Sequence, residues 1–109
     1  MEIQKLAERL DLEIEDFKEL FEIYMEATSS DLEVLKAGLK AGDLKRVHEI
    51  AHSIKGSSGN LGFNELYELA RDIDDRAREN SLNGLEDLVS NFTVKYEKLV
   101  EDFEKSSEA

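Results

Sequence analysis

Leu44-Lys45-Arg46-Val47-His48-Glu49-Ile50-Ala51-His52-Ser53-Ile54-Lys55-Gly56-Ser57-Ser58-Gly59-Asn60-Leu61-Gly62 carries its apolar side chains at helical spacing. At about 100° per residue from Leu44, the residues Val47, Ile50, Ala51, Ile54, Ser58 and Leu61 join it in one stripe, between roughly 240° and 360°. Ahead of it, Gly42-Asp43 pairs a helix-ending glycine with a helix N-cap, and Leu61-Gly62 closes it. Working outward, Asp16 to Lys40 is predicted as a long helix with Phe17, Leu20, Phe21, Tyr24, Met25, Leu32, Leu35 and Leu39 as its stripe. Thr28-Ser29-Ser30 interrupts that stripe, and a bend is expected there. Asn64 is read as the cap of a helix from Glu65 to about Arg78, with Leu66, Leu69, Ala70, Ile73 and Ala77 inward. After the break at Asn80-Ser81-Leu82-Asn83-Gly84, a last helix runs from Leu85 to about Glu104. Such helices, joined by short loops, bury their stripes best as an antiparallel up-down four-helix bundle. A short additional N-terminal helix, Glu2 to Leu10, covers one end of it with Ile3, Leu6 and Leu10. The fold class is all-α, one domain over 1–109, with 1–12 as leading helix and turn and 105–109 as a polar, frayed tail.

Composition narrows the chemistry. Proline is absent from 109 residues, where average usage gives roughly five, so a turn-rich β fold is disfavoured. There is no cysteine, which removes disulfide scaffolds, thiol nucleophiles and thiolate zinc sites. With 26 acids against 14 bases the net charge is −12. Such a chain repels phosphate backbones and anionic lipid, so neither nucleic acid nor membrane is an expected partner. No apolar run is long enough to span a bilayer and the start lacks a signal-peptide pattern, so a soluble, cytoplasmic protein is expected; a monomer is expected as well.

One histidine stands on the wrong side of its helix. His52 falls near 80° on the wheel, roughly 140° from the centre of the apolar stripe, and so faces solvent. Its neighbours one or two turns away are His48, Lys55, Gly56 and Gly59. Two glycines inside a helix cost roughly 1 kcal/mol each relative to alanine. An exposed face has no folding reason to carry that cost, and the glycines are read as clearing space for another surface beside His52. From Lys36 to Lys55 there are five bases (Lys36, Lys40, Lys45, Arg46, Lys55) and two acids (Asp43, Glu49), a local excess of three positive charges in a very acidic chain. A negatively charged partner or ligand of small footprint is implied.

Ala51-His52-Ser53-Ile54-Lys55-Gly56-Ser57-Ser58-Gly59-Asn60-Leu61-Gly62 resembles the signature of the histidine-containing phosphotransfer (HPt) domain, His-x-(Leu/Ile)-Lys-Gly-(Ser/Ala) followed by Leu-Gly. The resemblance runs from about Phe17 to Phe103. It implies a phosphohistidine carrier in a multistep phosphorelay, without ATP-dependent kinase activity of its own. In agreement, the chain has no G-x-x-x-x-G-K-[ST] loop. The resemblance implies His52 as phosphoacceptor and Lys55 as the cation that stabilises phosphoryl charge. Asp74, counted in register on the next helix, is implied as the group that orients the ring. Lys45, His48, Gly56 and Gly59 are assigned to the partner-docking face. Response-regulator receiver domains are the implied partners, with a hybrid sensor histidine kinase as a second one. No cofactor is expected on this chain, and Mg²⁺ is expected in the receiver.

Two metal motifs compete. His48-Glu49-Ile50-Ala51-His52 spells the H-E-x-x-H zinc motif. It lacks a third histidine, has Lys55 and Ser58 where the H-x-x-G-x-x-H extension needs glycine and histidine, and places Lys55 where it would repel the ion. Glu49-x-x-His52 is half of a di-iron motif whose second half is missing. A helical interaction module that is never phosphorylated is the principal alternative; acid-labile phosphate on His52 separates the two.

Overall fold

The computed structural model describes residues 2–108, and every regular element among them is helical. Five helices form: α1 Ile3–Arg9, α2 Ile14–Ala41, α3 Leu44–Asn60, α4 Asn64–Arg78 and α5 Leu85–Glu108. The α2–α3 junction follows the local code. Gly42 closes α2 at φ 72°, a left-handed conformation that glycine adopts without steric penalty. The Asp43 carboxylate then accepts from the Arg46 backbone N–H at 3.2 Å, capping α3. At the start of α4 the expectation is corrected. Phe63 holds the N-cap position without a side-chain bond, and Asn64 is the first helical residue.

The bend expected at Thr28-Ser29-Ser30 does not occur, and α2 runs unbroken through it. Tyr96 on α5 donates its hydroxyl proton to the Met25 carbonyl at 2.7 Å, so Ser29 is the donor in its 2.8 Å contact with the Tyr96 oxygen. Thr28 is buried. Within the run, Ser29 meets a polar group on another helix, and the helix does not turn there. α5 likewise continues beyond Glu104 to Glu108, through most of the stretch expected to fray, while Ala109 lies outside the described residues.

Consecutive helices pack on each other from α1 to α5, and α2 also packs on α5. The central apolar layer is aromatic. Phe21 stacks on Phe103 at 4.1 Å between ring centroids and meets Phe63 edge-on at 5.7 Å. Tyr24, buried beside them, shares a 2.8 Å hydrogen bond with buried Ser58, and burial pushes its hydroxyl pKa up to about 12. The leading helix buries Ile3 and Ala7, with Leu6 and Leu10 partly covered. Among the described residues no helix is long and apolar enough to cross a membrane.

The register of α3 against α4 positions the site. Following α3 backwards, Gly59 meets Tyr67, His52 meets Asp74, and His48 meets Arg78. The two helices therefore run in opposite directions along their shared seam.

Candidate functional site

The α3–α4 seam carries one fully buried carboxylate, that of Asp74, at 0% exposure. It sits on the edge of the α4 apolar stripe next to Ile73, where the stripe turns toward α3. Four nitrogen-bearing side chains converge on it. His48 donates from Nδ1 to Oδ1. Lys55 donates from Nζ to Oδ2 at 3.3 Å. Arg78 brings Nε to 3.4 Å from Oδ1, and His52 brings Nδ1 to 3.6 Å from Oδ2.

Burial opposes ionisation of Asp74, but the hydrogen bonds from His48 and Lys55, with the Arg78 charge, overcome it and hold the carboxyl below its usual pKa range. An ionised carboxylate only accepts hydrogen bonds, so the ring nitrogens that face it carry their protons there. That sets the Nδ1–H tautomer of His48. For Arg78, 3.3 Å from the same Nδ1, it makes Oδ1 the acceptor.

His52 presents 61% of its side chain to solvent, as its place on the wheel predicts. His48 is half-buried, its side chain 31% exposed and bonded to Asp74. Lys55 is less exposed than a free surface lysine, at 21%. Lys45 is exposed. Nothing lies within 4 Å of a Cβ added at Gly56, so this glycine does open the face beside His52. Gly59 is otherwise. A Cβ there would sit 3.1 Å from Tyr67 Cδ2, so this glycine lets α4 approach α3. Tyr67 narrows the clearance expected at Gly59, while the glycine itself remains exposed.

Arg78 was not among the residues the sequence pointed to. Its available signal was the spacing Asp74-x-x-x-Arg78, which places a cation one turn from the acid. A groove of about 740 Å³ between α2 and α5, lined by residues such as Lys36, Leu39 and Val94, does not reach His52. The imidazole stands on an open surface. Among the described residues no group of three or more His, Cys, Asp or Glu side chains is arranged to hold a metal ion. The histidines of the H-E-x-x-H stretch instead share a carboxylate with Lys55 and Arg78.

A family model described as the Hpt domain matches residues 19–106. The chain belongs to the Hpt family. Hpt domains carry out histidine phosphotransfer in phosphorelay signalling, relaying phosphate with receiver domains and kinases of two-component systems. The fold of this Hpt domain is similar to that in the crystal structure of histidine-containing phosphotransfer protein B (HptB) from Pseudomonas aeruginosa PAO1. The match has a TM-score of 0.86 and 23% identity, and covers 94% of this chain and 90% of that one. No curated protein sequence matches the chain. The family match takes in α3, α4 and nearly all of α5, and begins within α2, so α1 stands ahead of the Hpt core.

Proposed function

We propose that His52 is the phosphoacceptor of this Hpt domain and exchanges a phosphoryl group with the phospho-aspartate of a receiver domain. The observation that carries this reading is an exposed imidazole whose Nδ1 faces a buried, ionised carboxylate. With the proton on Nδ1, the lone pair is on Nε2, the nitrogen away from Asp74. Nε2 attacks the phosphorus in line as the bond from phosphorus to the aspartyl oxygen breaks, and the carboxylate leaves with the electron pair. The imidazole keeps its Nδ1 proton and gains positive charge, which Asp74 Oδ2 balances. The 3.6 Å separation leaves room for that contact to tighten in the reacting complex. Run backwards, the same steps return the phosphoryl group to an aspartate.

Positioning and charge stabilisation supply most of the catalysis in phosphoryl transfer. Lys55, one turn from His52 and tethered to Asp74 Oδ2, is placed to meet the phosphoryl oxygens with a positive charge. Asp74 is fully engaged with His48, Lys55 and Arg78 and does not fit a divalent ion, so Mg²⁺ is assigned to the receiver. Open space at Gly56 and exposed Lys45 suit docking of a receiver, or of a receiver segment of a hybrid sensor kinase. Short connections and the packing of α2 on α5 support an antiparallel up-down four-helix bundle.

Phosphorylated receiver mixed with His52→Gln should label nothing, while the variant melts within about 0.5 kcal/mol of the parent, as surface changes do. Lys55→Ala should still be labelled, but roughly tenfold more slowly, the scale of about 1.4 kcal/mol. Acid-labile phosphate on His52→Gln would reject the assignment, and a normal rate in Lys55→Ala would remove the role given to the lysine.

A further inference from the structure

Asp74 has two oxygens, and they are divided. Oδ2 serves His52 and Lys55, at 3.6 and 3.3 Å. Oδ1 is taken by the His48 hydrogen bond and by Arg78 at 3.4 Å. The carboxylate rotates about its bond to Cβ unless something holds it, and Arg78, with about half its side chain in solvent, is a loose hold. Lys55, 21% exposed, holds Oδ2, and of the two holds on Oδ1 His48 is the firmer. Its ring is 31% exposed, so it lies partly packed between α3 and α4 one turn before His52, with the ring centroids 6.4 Å apart.

The geometry points to His48 as a positioning residue for phosphotransfer: by occupying Oδ1 it fixes the Asp74 carboxylate so that Oδ2 faces His52 Nδ1. This rests on the reading of His52 as phosphoacceptor. The tautomer of an imidazole is set by the hydrogen bond at its other nitrogen, and the partners that orient such a group affect activity without touching substrate. Were Oδ2 to turn away, the Nδ1–H form of His52 would lose its acceptor. The lone pair would then be shared between the two nitrogens, and Nε2 would be nucleophilic for less of the time. The basic surroundings of the site follow the same logic: Lys55 and Arg78 neutralise Asp74 from long side chains with much rotamer freedom, whereas His48 meets Oδ1 from a shorter, stiffer one.

Four full-length proteins test this: the parent, His48→Ala, His48→Asn and His48→Gln. The side-chain amide of asparagine places an N–H near the position of Nδ1, whereas that of glutamine reaches to the position of Nε2. Long-range proton–nitrogen correlation spectra report the His52 tautomer without any phosphate present. Labelling by phosphoramidate, read together with transfer from a phosphorylated receiver, reports reactivity. Expected is a mainly Nδ1–H His52 in the parent and in His48→Asn. In His48→Ala and His48→Gln the Nδ1–H share should fall, with both labelling rates down about tenfold, the effect of one hydrogen bond to a charged group. If His48→Ala does not fold, the contrast between His48→Asn and His48→Gln decides. An unchanged tautomer and rate in His48→Ala would overturn the proposal, as would equal behaviour of His48→Asn and His48→Gln. Failure of the underlying reading looks different: the phosphate would appear on a residue other than His52, whatever stands at 48.

Discussion

A carboxylate taken out of water is several kcal/mol less stable unless it is paired and hydrogen-bonded. Asp74 is wholly buried and meets that requirement with His48, Lys55 and Arg78. Asp74→Asn keeps the shape and removes the charge, and should lower stability at neutral pH by about 1–3 kcal/mol. The pH dependence follows from the direction of the shift. The folded pKa of Asp74 lies below its unfolded value, which is near 3.9. As pH falls, the unfolded chain takes up the proton first, so the stability contributed by this carboxylate is full above about pH 5 and is lost as pH drops through the folded pKa. Urea titrations of parent and Asp74→Asn should show a gap that is widest near neutrality and closes below about pH 4. A gap independent of pH would assign the loss to packing instead of charge. Asp74 was legible in the sequence as an acid at the edge of its stripe. His48 as its closest partner was not, because His48 and His52 lie only about 40° apart on the helical wheel and either could have faced α4.

At the scale of the element, α3 holds two glycines that look equivalent in sequence and differ in space. Alanine in place of a mid-helix glycine adds roughly 0.5–1 kcal/mol when the site can accept a methyl group. Gly56 has nothing within 4 Å of that methyl, whereas Gly59 has Tyr67 at 3.1 Å. Gly56→Ala should therefore raise the melting temperature. Gly59→Ala should gain less or lose, since the Tyr67 ring must move before α4 can stay in place. Gly56→Gln should combine a more stable helix with slower transfer from a receiver, because its side chain enters the open face beside His52. Equal stabilisation at both glycines would remove the close-approach account of Gly59. The helical wheel placed both on the polar side of α3, and that much was correct. Which of the two has a side chain of another helix beside it depends on the α3–α4 register, which the periodicity of a single helix does not contain. The same holds for Ser29, whose hydrogen-bond partner Tyr96 lies on another helix.

At the scale of the molecule, Phe21 joins α2 to α5 through Phe103 and to the α3–α4 connection through Phe63. Phe21→Ala should cost about 3–5 kcal/mol, as large-to-small core changes do, against a total stability of roughly 5–15 kcal/mol for a domain. Chemical denaturation of this variant should show a large drop in midpoint, and phosphotransfer should fail at temperatures where the parent is active. A loss under about 1 kcal/mol would mean that the ring cluster is not the centre of the core.

Local physical chemistry determined the helices, because a 3.6-residue apolar period, Gly42 and Asp43 act within a few residues of where they stand. It also determined that His52 faces outward, since one helix's own stripe defines its polar side. The resemblance of the His52-to-Gly62 stretch then pointed to phosphotransfer, and the family match agrees. Only the tertiary structure decided how the site is assembled. Asp74, Arg78 and Tyr67 reach His48, His52 and Gly59 across a seam between two helices. A shift of one residue in that seam, about 1.5 Å along the axis with a turn of about 100°, would pair them differently. Side-chain spacing within a helix is set by the backbone, whereas spacing between helices is set by how both stripes fill one core.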